Sequence, residues 1–131
     1  MIDYEVNIFD TVYRQVGSKC ARGKFTSIYV QSPTAYPAGS LIELSNRTVR
    51  EFQSSTPTEN FSRVMYQLDT FAMSKKEARD VYKTADEAMI GMGFTRTMGN
   101  FIDNAGNPDV YRYTARYEAL IDPDGVIYRI P

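Results

Sequence analysis

The sequence contains no histidine and no tryptophan, and it has one cysteine. Without histidine there is no Ser-His-Asp or Cys-His nucleophile pair, and the commonest general base near neutral pH is missing. Zinc sites of the usual Cys/His kind are excluded as well. The single Cys20 has no partner for an internal disulfide. No run approaches the roughly 18 apolar residues that span a bilayer. The start, Met1-Ile2-Asp3-Tyr4-Glu5, is acidic and lacks the basic-then-apolar order of an export signal, so synthesis in the cytosol is the expectation. Neither sign of charge dominates: 15 basic residues face 16 acidic ones, a net charge of −1. A duplex-DNA binder usually carries a clear basic excess. Phosphate-loop chemistry finds no support, because Gly91-Met92-Gly93 closes a helical pattern rather than opening one.

What is present describes an ordinary globular chain. The 131 residues predict one domain, 1–131, and 43% of them are hydrophobic. A chain of this size buries roughly two-thirds of its unfolded surface. Two skews stand out, 10 Arg against 5 Lys and 10 Tyr with no Trp. Arg and Tyr are enriched where proteins meet each other, and Lys is depleted there.

Apolar spacings of three and four predict an N-terminal helix over 2–16, with Ile2, Val6, Phe9, Val12, Tyr13 and Val16 on one face and Gly17 as its stop. A short strand is expected over 25–30. Pro33, Pro37 and Gly39 make 31–40 irregular. A β-hairpin is predicted over 41–73, turning at the polar loop 54–60. In its second strand Val64, Tyr66 and Leu68 alternate with Arg63, Gln67 and Asp69. Ser74-Lys75-Lys76-Glu77 is a capping box opening a helix over 74–92. That helix carries an apolar stripe of Ala78, Val81, Tyr82, Ala85, Ala88, Met89 and Met92, and Gly93 stands at its C-terminal stop. Strands follow over 94–99, 109–121 and 125–130. In the middle one Tyr111, Tyr113, Ala115, Tyr117, Ala119 and Ile121 share a face, and Arg112, Thr114, Arg116 and Glu118 share the other. Helix, strands, helix, strands with hairpin turns predicts an α+β domain, a mainly antiparallel sheet with helices packed on one face.

Chemistry finds few footholds. Asp122 and Asp124 fall in a Pro123-Asp124-Gly125 turn, where a carboxylate-bound metal competes with plain turn chemistry. Asp80, Asp86 and Glu87 read as a solvated helix face. The polar strand face offers more. Arg112, Arg116 and Glu118 pair with Arg63, Gln67 and Asp69 if the two long strands are neighbours. Three roles remain open for it: a solvent face laced with ion pairs, a subunit contact or channel wall, or a platform for single-stranded nucleic acid. The last conflicts with tyrosines assigned to the core.

Several segments in order resemble the small tail-completion or tail-terminator proteins of tailed bacteriophages, often labelled minor capsid proteins. They are Arg63-Val64-Met65-Tyr66-Gln67-Leu68, Ser74-Lys75-Lys76-Glu77-Ala78, Met89-Ile90-Gly91-Met92-Gly93-Phe94-Thr95-Arg96-Thr97, Val110-Tyr111-Arg112 and Ala115-Arg116-Tyr117-Glu118-Ala119. The resemblance covers roughly 41–130 and departs from the family around 31–40. It implies a tail-terminator-like fold and a structural, non-enzymatic virion protein without metal or cofactor, assembled in the bacterial host cytoplasm. It also implies a ring, usually of six copies, that caps the tail tube and joins tail to head. The implied partners are further copies of the chain, the tail tube protein and the head–tail connector or neck proteins, with the tail sheath as a further candidate. Genomic DNA passes nearby without specific binding, and no membrane is involved. Arg63, Gln67, Asp69, Arg96, Arg112, Arg116 and Glu118 are the expected interface or lumen residues, with loops 31–40, 54–60 and 99–108. A head-closure or adaptor neck protein is the alternative within the same particle. From other classes, the alternatives are a small single-stranded nucleic-acid-binding module and an enzyme using metal at Asp122 and Asp124.

Overall fold

Ser74 and Gly93 fix the two ends of the main helix, and the sheet is built around what that helix must cover. In a computed structural model, which describes residues 2–20, 24–28, 35–48, 61–102 and 109–130, helix α2 runs Lys75–Met92. The Ser74 hydroxyl accepts from the Glu77 amide at 3.2 Å. Gly93 takes the left-handed conformation, φ 114°, that lets its own amide and that of Phe94 return to the Ile90 and Met89 carbonyls. Between these caps Ala78, Val81, Tyr82, Ala85, Ala88 and Met89 are buried, and Val81 and Met89 each contribute about 2 kcal/mol by leaving water. Ser74→Ala removes the N-terminal cap bond, so a loss of about 1 kcal/mol is expected in denaturant titration. An unchanged midpoint would show that the cap is dispensable.

The sheet that receives this stripe has the order β1-β2-β3-β5-β4. Its strands are β1 Phe25–Thr26, β2 Ala38–Thr48, β3 Ser62–Ala72, β4 Thr95–Ile102 and β5 Tyr111–Ile121, and β6, Ile127–Tyr128, pairs with the end of β5. All neighbours are antiparallel except β1 with β2. Strand β5 lies between β3 and β4, so α2 crosses over it to connect two strands of the same direction. Helix α1, Glu5–Val16, lies beside α2 on the same face, and its residues join Val64, Tyr66, Leu68, Ala115 and Tyr117 in one core. The domain is therefore α+β, a mostly antiparallel sheet with both helices on one side. Among the described residues no helix is long and apolar enough to cross a membrane.

Three local expectations are corrected. The buried face of α1 is Ile8, Val12 and Val16, while Val6 is 71% exposed. A 3.6-residue period admits two stripes through Val12 and Val16, and only packing against the sheet selects the one containing Ile8. Gly17, by contrast, is the stop expected of it: α1 ends at Val16, and the chain continues from Gly17 into a 3₁₀ turn, Gly17–Lys19. Strand β2 begins at Ala38 within a segment expected to be irregular. There Gly39 serves close packing: a Cβ on it would lie 2.9 Å from the Phe25 ring and 3.0 Å from the Asp69 carbonyl oxygen. Strand β4 also extends to Ile102, three residues past its expected end at 99. The expected strand 25–30 is described only to residue 28, and the hairpin loop 54–60 lies outside the described residues.

Candidate functional site

Period-two alternation in β3 and β5, together with their register, gathers six of the seven expected interface residues on the sheet face away from the helices. Gln67 stands opposite Arg116 and Asp69 opposite Thr114. Arg116 Nε donates to the Gln67 amide oxygen at 3.2 Å, and Gln67 Nε2 donates to Asp69 Oδ2 at 2.9 Å. Arg112 reaches diagonally to Asp69, with Nε and Nη2 each 2.9 Å from Oδ1, and the Thr114 hydroxyl donates to the same oxygen. Arg63 and Glu118 form a second diagonal pair at 2.9 Å. The cross-strand pairing expected from sequence is therefore present.

This face is not uniformly wet. Asp69, Phe71, Thr114 and Ser40 are all buried at one end of it, and the Arg112 guanidinium lies 5.9 Å from the Phe71 ring centre. Towards the other end Arg63, Gln67 and Glu118 are half-buried and Arg116 is exposed. A buried carboxylate sharing four donors is held rigidly, whereas exposed pairs of this kind contribute little to stability.

Arg96 is the seventh residue, and it lies on the opposite face, where β4 meets α2. Its Nη1 donates to both Asp86 oxygens at 3.0 Å and to the Tyr82 hydroxyl at 2.8 Å. Tyr117 donates to Asp86 Oδ1 at 2.6 Å. Asp86 is thus the centre of a polar cluster rather than part of a solvated helix face. Its spacing from Tyr82, four residues on along the edge of the buried stripe, was the available signal. Burial, reinforced by the Asp86 hydrogen bond and charge, holds the Tyr117 hydroxyl well above the ordinary tyrosine range. Burial and the Asp86 charge push Tyr82 up to about 12. The Asp86 carboxylate in turn raises Arg96. Both tyrosines therefore act as neutral donors. Beside them Asp86, Ile90, Phe94, Thr95, Arg96 and Arg129 line a shallow cleft of about 410 Å³. Arg129 Nη2 donates to the Ile90 carbonyl at 2.6 Å, supplying a cation at the end of α2 that the helix's own last turn lacks.

At the far edge of the sheet Glu43 accepts from the buried Tyr66 hydroxyl at 3.3 Å. Burial and the neighbouring charges of Glu5 and Asp3 raise its affinity for a proton above that of an ordinary glutamate. The folded protein thus binds that proton more tightly than the unfolded chain. Stability from this group is full at low pH and is lost as pH rises from the ordinary carboxylate value, 4.5, through the raised one. Glu43→Gln is expected to flatten that fall without lowering stability at pH 7, as read from thermal melts between pH 4 and pH 7. A wild-type slope that persists in the variant would assign the effect elsewhere.

The two turn carboxylates do not converge. Asp122 Oδ1 accepts from the Asp124 and Val126 amides, each at 2.9 Å, and Oδ2 accepts from the Tyr128 hydroxyl at 3.1 Å. Among the described residues no group of three potential metal ligands comes together. Of the expected contact loops, 31–34, 54–60 and 103–108 lie outside the described residues, and 99–102 are the last part of β4. No protein-family model matches this sequence, and no curated protein matches it.

Proposed function

We propose that this chain is a tail terminator of a tailed bacteriophage, a virion structural protein that closes the end of the tail tube as a ring and joins it to the head. The ordered set of segments from Arg63 to Ala119 carries the reading. Its members are consecutive parts of one unit: a central strand, a capped helix, the Gly93-Phe94-Thr95-Arg96-Thr97 turn into β4, and the Arg-bearing β5. A polar sheet face held in fixed geometry by Arg63–Glu118, Gln67–Arg116 and Asp69–Arg112 supports it, because a subunit contact or lumen wall needs charged side chains that do not wander. A ring needs one heterologous contact repeated until it closes, and no reacting group. Native mass spectrometry of the protein, alone and with tail tubes, tests the assembly. Deleting the gene tests the role: absent, misjoined or overlong tails support a terminator, whereas complete tails beside heads that leak DNA indicate a head-closure protein.

One observation favours a different class. Lys75 lies 5.6 Å from the Phe101 ring centre and 5.8 Å from that of Tyr111, and Arg79 lies 5.3 Å from Phe101. Tyr111 is 40% exposed, although it shares the helix-covered face of β5. Cations over accessible rings are the elements of a stacking platform for single-stranded nucleic acid. A gel shift with an unstructured oligonucleotide at low salt, positive for the wild type and lost in Lys75→Ala/Arg79→Ala, would favour this reading over the structural one.

A further inference from the structure

One row of side chains on the helix-covered face crosses the sheet and ends in opposite charges. Glu43 of β2 stands opposite Tyr66, Tyr66 opposite Tyr117, and Tyr117 opposite Arg96 of β4. The two tyrosines are buried, and the row ends on the edge strand β4 and on β2, the strand next to the short β1. Strand β1 pairs only with Gly39 and Ser40, so beyond Ser40 no described strand covers β2, and none covers β4.

Each end has a distinct surface. At the Glu43 end Asn46 Nδ2 of β2 donates to the Ile2 carbonyl at 2.7 Å, which seats Asp3 and the start of α1 at Glu5 beside that strand, and their charges act on Glu43. Val6, next to Glu5, is the most exposed large apolar side chain there, at 71%. At the Arg96 end is the cleft lined by Asp86, Ile90, Thr95 and the backbone of the buried Phe94, together with two guanidiniums, Arg96 and Arg129. Arg96 contacts Tyr82 and Asp86 through Nη1, and a guanidinium carries further donors on Nε and Nη2. Acidic side chains beside an exposed valine at one end are thus complementary in charge to a cleft at the other end that carries two guanidiniums against the single carboxylate of Asp86.

We propose that these two ends are the two halves of one contact between copies of this chain, with the Glu5-Val6 corner and Glu43 of one copy seated on the Arg96–Arg129 cleft of the next. The inference rests on the ring reading above and names its interface. The two surfaces lie at opposite ends of one cross-strand row, so a single head-to-tail contact repeated from copy to copy generates a ring where the rotation closes. Register breaks strengthen the assignment. The β2 ladder shifts between Glu43 and Ser45 and the β4 ladder between Arg96 and Met98, beside the row at both edges. Bulged edges resist continuous strand addition, which leaves side-chain docking as the mode of contact.

The test is charge exchange. Asp3→Arg/Glu5→Arg makes both halves basic, and Arg96→Gln/Arg129→Glu makes both acidic. Each variant alone is expected to lose ring association by about a hundred-fold, and an equimolar mixture is expected to recover it as alternating rings. Native mass spectrometry and sedimentation on tail-tube ends as well as free protein read the result, with thermal melts confirming folding. Val6→Arg, at an exposed position that leaves the core untouched, is expected to abolish rings by itself. Wild-type rings that persist in all three variants, or variants that fail singly and are not rescued by mixing, overturn this contact while leaving the terminator reading intact. A wild type that stays monomeric with tube ends present overturns both.

Discussion

Asp69→Ala is expected to lower stability by about 4 kcal/mol, because it breaks a buried ion pair and removes the acceptor on which several donors converge. Asp69 is fully buried and is the shared acceptor for Arg112, Thr114 and Gln67. Truncation removes the acceptor shared by the Arg112 guanidinium, whose side chain is only 19% exposed, and a buried hydroxyl. Against a typical total of about 5–15 kcal/mol, such a loss leaves a marginal fold. Urea titration followed by circular dichroism measures it. The informative companion is Asp69→Leu/Arg112→Met, which removes both charges and is expected to recover most of the loss, since an apolar replacement of a buried pair is often neutral. A single variant within 1 kcal/mol of wild type would mean that the carboxylate is not a structural centre. The network also bears on function, because Arg116 is oriented through Gln67, and Gln67 through Asp69. Loss of Asp69 is therefore expected to weaken any contact made by the exposed end of this face.

Phe94→Ala is expected to cost a similar amount, about 4 kcal/mol, by a different mechanism. Phe94 has no exposed surface and meets Tyr66 edge-on with centroids 5.5 Å apart. Deleting a buried ring forfeits its transfer energy and leaves a cavity that close-packed neighbours fill only in part. The site sits directly after the left-handed Gly93, where the chain turns from α2 into β4 and has little freedom to collapse. Thermal melts and cavity-seeking ligands such as benzene report the result. Phe94→Leu, which keeps most of the volume, is expected to lose much less. If alanine and leucine cost the same, the site relaxes and packing is not the cause. The phenylalanine of the Gly-Phe-Thr-Arg-Thr segment therefore acts through the core, and Arg96 and Thr97 are the members that reach the surface.

The elements differ in how much of them is written locally. Helix α2 carries its own instructions: a serine cap, an apolar stripe at the helical period and a glycine that alone takes φ 114° without strain. Strands β3 and β5 are equally explicit, because alternation fixes both faces once one face is buried, and the pairing of Arg112 and Arg116 with Asp69 and Gln67 follows from adjacency. Helix α1 is ambiguous by itself. Two stripes pass through Val12 and Val16, and the sheet chooses Ile8 over Val6. Gly39 reads as a breaker in one dimension and is a packing necessity in three. Asp86 and Arg96 are separated by a helix end and a turn. Nothing in their spacing announces that they meet, or that Tyr117 from a distant strand joins them.

The chain's composition and periodicities by themselves determined the class of fold, the bounds of α2, the two faces of the long strands and the absence of histidine-based chemistry. These depend on interactions within one element, where distance along the chain is distance in space. The insertion of β5 between β3 and β4, the polar cluster under α2 and the opposite charges at the ends of the Glu43–Arg96 row were decided only by the tertiary structure. Each depends on which strands become neighbours, and that is set by the burial of all their faces together rather than by any one segment.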